Sequence, residues 1–209
     1  MISAKEALDK LIEGNRQFVT NVQQTKSRTG NTRRLELSGG QEPFAILLGC
    51  SDSRVPAEIV FNQGLGDLFV IRVAGNIVAP SQVGSVEFAA AKFGTRLVVV
   101  LGHTKCGAIK ATLDELQQPS EDQSHNIRSI VDFIRPSVEG LLATELRHDH
   151  EALLEQAVRD NVRVTADHLR HGSDVLESLI KNDGLLVVGA EYSLDTGVVD
   201  FFDGLPNSQ

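Results

Sequence analysis

Four short apolar runs constrain this chain more than any other feature. They occupy residues 44–49, 68–73 (Leu-Phe-Val-Ile-Arg-Val), 97–101 (Leu-Val-Val-Val-Leu) and 185–190 (Leu-Leu-Val-Val-Gly-Ala). Val, Ile and Leu follow one another in them with almost no polar alternation. A strand with one wet face alternates, whereas a strand covered on both faces does not, so the runs predict a parallel sheet sandwiched between helices. A fifth segment, 198–202, follows the turn-forming stretch Leu194-Asp-Thr-Gly197 and is expected to return as an antiparallel edge strand. The class is α/β, a central and mostly parallel sheet flanked by helices.

Helical periodicity fills the intervals. Ser3 and Glu6 read as a capping box opening a helix with Leu8, Leu11, Ile12 and Phe18 or Val19 on one stripe. Val86, Ala89, Ala90 and Phe93 keep helical spacing, with Gly94 as the stop. Residues 107–117 form another helix, and Ile127, Ile130, Val131 and Ile134 mark one that Pro136 is expected to cut. A long helix is expected over 149–170, ending near Gly172, and a short one over 173–182 ending before Gly184. Residues 21–34 are polar and carry no core pattern. The expected organisation is an N-terminal helix and arm over 1–34, serving as an oligomer contact, followed by an α/β domain over 35–209.

Composition narrows the function classes. A chain of 209 residues can bury a sizeable core. Its net charge of −8, from 20 Lys+Arg against 28 Asp+Glu, argues against nucleic acid or an anionic membrane surface as partner. No run of about 18 apolar residues offers a membrane span, and the N-terminus lacks the basic-then-apolar pattern of a secretion signal. A cytoplasmic location is expected, where thiols stay reduced.

The chain has two cysteines, and both lie just beyond apolar runs. Cys50 follows the first, in Cys50-Ser-Asp-Ser-Arg54; Cys106 follows the third, in Gly102-His-Thr-Lys-Cys-Gly107. Ligands of open parallel sheets bind beyond the carboxyl ends of the strands, where strand order reverses, so these two segments are expected to converge. Cys50, His103 and Cys106 then supply two thiolates and an imidazole, a donor set suited to zinc. Three protein ligands leave the fourth position open, as in catalytic rather than structural zinc sites. The competing readings are two small buried hydrophobes or a Cys50–Cys106 disulfide, and the adjoining His103, Asp52 and Arg54 argue against both. The absence of Cys-x-x-Cys argues against a redox role. Asp52 and Arg54 project from one side of an extended segment, so Arg54 can hold the carboxylate ionised and off the metal while Asp52 accepts a hydrogen bond from water there. Elsewhere the same pair would be an ordinary surface salt bridge.

Cys-x-Asp-x-Arg followed some fifty residues on by Gly-His-x-x-Cys-Gly resembles the zinc site of the β-class carbonic anhydrases. Further segments resemble that family in the same order: 51–56, 64–70, Arg72-Val-Ala-Gly-Asn76, Gly84-Ser-Val-Glu-Phe88 and 189–197. The likeness runs from about residue 3 to 203. It implies reversible hydration of carbon dioxide to bicarbonate and a proton by zinc-bound hydroxide, with one Zn2+ per subunit on Cys50, His103 and Cys106. It implies that Asp52 and Arg54 are the catalytic pair, and that Asp52 can itself become a metal ligand in a closed state. Gln41 matches a substrate-binding glutamine that usually acts across a subunit interface, so a homodimer or homotetramer is implied; Phe69, Ala74, Phe88 and Gly107 match positions at the substrate pocket. The family commonly has Tyr where this chain has Phe88, so no hydroxyl stands there for a proton relay. Members with a non-catalytic bicarbonate site carry Trp where this chain has Leu47, which removes the main lever for closing. The alternatives weighed are a zinc hydrolase of a related linear electrophile such as carbon disulfide, and a non-catalytic zinc-bound assembly module.

Overall fold

In the computed structural model, which describes residues 2–21, 30–119 and 124–206, the apolar runs become the strands of one five-stranded sheet. The strands are β1 (Ala45–Gly49), β2 (Leu68–Arg72), β3 (Leu97–His103), β4 (Leu186–Tyr192) and β5 (Val199–Asp203), in the order β2-β1-β3-β4-β5. The first four pair in parallel and β5 returns antiparallel to β4. Every residue of β1 and β3 is buried, which is why their sequences show no alternation. Around the sheet lie α1 (Ala4–Val19), α2 (Asn31–Glu36), α3 (Ala57–Val60), α4 (Pro80–Lys92), α5 (Gly107–Gln117), α6 (His125–Val138), α7 (His150–His171) and α8 (Asp174–Asp183).

The core has three parts. On one face Leu47, Val99, Leu101 and Val188 pack against Leu8 and Leu11 of α1 and Val60 of α3. On the other, Ile46, Leu48, Val98 and Val100 meet Val86 and Ala89 of α4 and Val162, Ala166 and Leu169 of α7. A third cluster caps the carboxyl end of the sheet, where Ile109 and Leu113 of α5, Ile134 of α6 and Val158 of α7 surround Cys50 and Cys106.

Four details differ from expectation, each for a physical reason. β3 and β4 run two residues past their apolar runs, to His103 and Tyr192, because their mutual pairing continues through Gly102↔Glu191 and His103↔Tyr192. His103 is therefore the last residue of a strand. α6 passes through Pro136 to Val138. Pro136 removes one bond, to the carbonyl of Asp132, and both residues are exposed, so water can serve that carbonyl. The Ser3–Glu6 capping box forms, but Leu8 and Leu11, expected to face a partner, are buried in the chain's own core, leaving Ile12 and Val19 exposed on that stripe. Of the arm expected over 21–34, residues 22–29 lie outside the described residues, and α2 begins at Asn31.

Two glycines decide how closely α7 can approach the sheet. A Cβ at Gly102 would stand 2.6 Å from Val162 Cγ2 and 3.3 Å from Val158 Cγ1; one at Gly189 would stand 2.8 Å from Val162 Cγ1. Val162 thus sits where two neighbouring strands lack side chains. Gly102→Ala should cost about 1–3 kcal/mol of unfolding free energy by overpacking. On a Val162→Ala background the same change should cost clearly less, since the clash is then relieved. Urea unfolding of the four proteins measures both, and equal costs on both backgrounds would disprove the packing account.

Candidate metal centre

Cys50 leaves β1 and His103 ends β3, and these two strands are neighbours, so the residues emerge side by side at the carboxyl end of the sheet. Cys106 is brought back by a tight turn in which Lys105 takes a left-handed conformation (φ 58°), and it forms the N-cap of α5. Thr104 ties the turn down: its amide donates to the Tyr192 carbonyl at 3.0 Å and its hydroxyl accepts from the Leu194 amide at 3.0 Å. One ligand atom from each of Cys50, His103 and Cys106 lies within 4.8 Å of the others, and all three residues are buried. Both thiols are free, so no disulfide joins them.

The donor chemistry fits a cation. His103 Nδ1 lies 2.9 Å from the Thr104 carbonyl, which can only accept, so a neutral ring carries its proton there. Nε2 is then a bare lone pair, and among the described residues it is buried without a hydrogen-bond partner. The Cys50 thiol is drawn down to about 4, chiefly by a hydrogen bond from Cys106 and against the cost of burial, with the Gly75 amide adding to the pull. Cys106 is pushed up by the hydrogen bond it gives that same Cys50 thiolate and by burial. Alone, the pocket holds one negative charge and resists a second; a divalent cation between the sulfurs removes the conflict. The α5 N-terminus also favours negative charge at Cys106. On His103 burial opposes a charge, but the Cys50 sulfur and the Thr104 carbonyl outweigh it and raise the pKa. Two thiolates and an imidazole suit zinc and disfavour magnesium or calcium.

Beside the sulfurs, Asp52 is held by Arg54 in a fork: Arg54 Nε lies 2.9 Å from Oδ1 and an Nη lies 2.7 Å from Oδ2, while the Arg54 amide also donates to Oδ1 at 2.9 Å. These bonds keep the Asp52 carboxyl well below the usual carboxylate range, against the cost of its partial burial. Its Oδ2 stands 3.8 Å from His103 Nε2, at the edge of the ligand cluster rather than within it. Arg72, at the end of β2, donates from Nε to the Cys50 carbonyl at 3.0 Å and from an Nη to the Asp52 carbonyl. That clamp holds the segment carrying both residues; the sequence marks Arg72 as part of Arg72-Val-Ala-Gly-Asn76 but does not give it this role. The turn after β2 contributes as well. Gly75 has φ 68°, its amide donates to Cys50 Sγ at 3.4 Å, and a Cβ there would meet Ile134 Cδ1 at 2.7 Å.

The remaining sequence-derived residues divide. Gly107 directly follows the ligand Cys106, and Ala74 directly precedes Gly75, whose amide donates to Cys50 Sγ. Gln41 is exposed before β1, at the opposite end of that strand from Cys50. Phe69 lies in β2 three residues short of Arg72, and with Phe88 and Phe93 it forms an aromatic cluster with ring centroids 5.5–6.3 Å apart. Phe88 is 52 % exposed. These three residues do not meet the ligand cluster of their own chain.

Known proteins resemble this chain in sequence and in fold. Residues 45–199 match a family model described as carbonic anhydrase. Over 197 residues, covering 94 % of this chain and 92 % of the relative, the sequence is 36 % identical to carbonic anhydrase 2 of Mycobacterium tuberculosis. The crystal structure of the β-carbonic anhydrase CafA of Aspergillus fumigatus superposes with a TM-score of 0.74 at 25 % identity, covering 97 % of this chain and 91 % of that one. One of two tetrameric β-carbonic anhydrases from Sordaria macrospora gives 0.73 at 25 % identity, covering 82 % and 87 %.

Cys106→Ser should abolish stoichiometric metal binding, because a hydroxyl does not ionise to serve as ligand. Elemental analysis of the purified protein checks this, and a full complement of metal in the variant would remove Cys106 from the ligand set.

Proposed function

The chain belongs to the β-class carbonic anhydrase family, whose reaction is the reversible hydration of carbon dioxide to bicarbonate and a proton, and we propose that it works through one Zn2+ held by Cys50, His103 and Cys106. The observation that carries this reading is the meeting of two buried thiols and an unpartnered imidazole nitrogen beside an arginine-locked carboxylate. Zinc in such a three-ligand site supplies Lewis acidity and lowers the pKa of water at its open position.

The chain's own groups do the rest. Asp52, ionised, can only accept, so it orients the proton of an incoming water and turns a lone pair toward the carbon of the substrate. Arg54 occupies both carboxylate oxygens and thereby keeps Asp52 from becoming a ligand. Leu47, buried in β1, offers no polar group to draw that arginine away. A Cβ at Gly107 would meet nothing within 4 Å, so that side of Cys106 is open to a small molecule.

Gln41, Phe69 and Phe88 serve a neighbouring copy in this reading, since none reaches the ligands of its own chain. The assembly is a homodimer or a higher even oligomer, and exposed Ile12, Val19 and Phe88 are apolar surface for its interfaces. The proposed compartment is the cytoplasm, where ligand thiols stay reduced. No helix among the described residues is long and apolar enough to cross a membrane.

Activity should rise into the alkaline range. Two thiolates and a neutral imidazole cancel the charge of a divalent ion, so water there should ionise above the value of about 7 found at an all-histidine site. Asp52→Ala should lower kcat more than about tenfold. Stopped-flow CO2 hydration from about pH 6 to 9, at fixed ionic strength in a non-coordinating buffer, tests both. A plateau complete at low pH, or an unaffected variant, contradicts the scheme. Sedimentation at micromolar concentration should show no active monomer; an active monomer would remove Gln41 from the site.

A further inference from the structure

Asn161 lies in α7 between Val158 and Val162 and is 2 % exposed. A primary amide is costly there unless its hydrogen bonds are made. Its Nδ2 donates to the Gly75 carbonyl at 2.8 Å, and its Oδ1 accepts from the Ser137 hydroxyl at 3.1 Å. Ser137, itself buried in α6, shares that proton with the Ile134 carbonyl at 2.6 Å. The far end of this chain is the Gly75 amide, which donates to Cys50 Sγ. Gly75 occupies a left-handed conformation and has no side chain to hold itself in place. The carbonyl that Asn161 grips and the amide that faces the sulfur lie in the two peptide planes that meet at the Gly75 Cα, so holding the first narrows the rotations open to the second.

We propose that Asn161, itself oriented by Ser137, is a positioning residue for the metal centre, acting through Gly75 on the Cys50 sulfur. The inference rests on the metal site proposed above. An N–H donated to a thiolate draws electron density from the sulfur and fixes the direction of its remaining lone pairs. Groups behind a ligand commonly set affinity in this way. Gly102 and Gly189 belong to the same device, because the close approach of α7 that they permit carries Asn161 to the Gly75 turn.

The test uses the full chain with cobalt in place of zinc, and compares wild type with Asn161→Leu and Ser137→Ala. The thiolate-to-cobalt charge-transfer band should move to lower energy in Asn161→Leu, because the Gly75 amide, no longer held through its residue's carbonyl, donates less strongly to the sulfur. Zinc affinity, measured by chelator competition, should fall roughly tenfold. Ser137→Ala should shift the band in the same direction by less, since the donor to Gly75 remains. A purely structural role would lower the thermal midpoint and leave both band and affinity unchanged, and that result overturns the proposal. If Asn161→Leu fails to fold, Ser137→Ala decides, and an unmoved band with unchanged affinity overturns it equally. A wild-type protein without any thiolate-to-cobalt band would instead remove the metal centre, and this inference with it.

Discussion

The parallel pairing of β1 with β3 is the interaction on which the rest of this structure depends. Gly49 lies opposite Leu101, so the chain leaves β1 at Cys50 within a residue of where β3 delivers Gly102 and His103. The pairing also makes this gap the point where strand order reverses. From β1 the chain passes to one side, through α3 into β2; from β2 it returns past β1, through α4, into β3. The two connections run in opposite directions across the sheet, so right-handed crossovers place them on opposite faces. Ala57 and Val60 of α3 pack on one face, and Val86 and Ala89 of α4 on the other. Between the diverging connections a crevice stays open at the strand ends, and the thiols, the imidazole and Asp52 meet there.

Charge in that crevice is arranged so that a cation has a defined place. Two sulfurs and one imidazole nitrogen point inward, while the nearest carboxylate is fully engaged by Arg54 and stays at the edge. Arg72 contributes through backbone carbonyls, fixing the path of the 50–52 segment without competing for the carboxylate. Behind Cys50 the support is uncharged: a glycine amide, a carboxamide and a hydroxyl in series. Placing ionic partners on the open side and neutral ones on the buried side follows the cost of burying charge.

Much of this was legible from local pattern. The central strands β1 and β3 could be read because both of their faces are covered and the residues say so directly, while β2 kept an apolar run although Phe69 and Val70 are only half-buried and Arg72 is exposed. The ends of β3 and β4 could not, since Gly102, His103, Glu191 and Tyr192 are held in the ladder by each other rather than by their own propensity. The four residues of α3 carry too little periodicity to be recognised. Pro136 misled because a proline breaks a helix only where its lost bond matters, and in the last turn on an exposed face it does not. The stripe of Leu8 and Leu11 was recognisable as apolar, but its burial against Val60 and Phe61 of the same chain was not, because an amphipathic pattern names a buried face and not its occupant.

What the sequence by itself determined is the kind of fold and the kind of chemistry: buried strands, the helices between them, and Cys50, His103, Cys106, Asp52 and Arg54 gathered around the carboxyl ends of the strands that carry them. Those features are encoded within a few residues, in side-chain periodicity and in ligand type. Only the tertiary structure decided which distant groups support them. Arg72 reaches the Cys50 carbonyl from β2, Gly75 reaches its sulfur from the turn after β2, and Asn161 holds Gly75 from α7; the first two lie in the segment Arg72-Val-Ala-Gly-Asn76, to which no role could be given, and no motif contains Asn161. The same structure showed that Gln41, Phe69 and Phe88 stand away from the ligands of their own chain. Spacing along a chain fixes neighbours on one element, whereas contact between elements is set by strand order and by how closely a helix can approach the sheet.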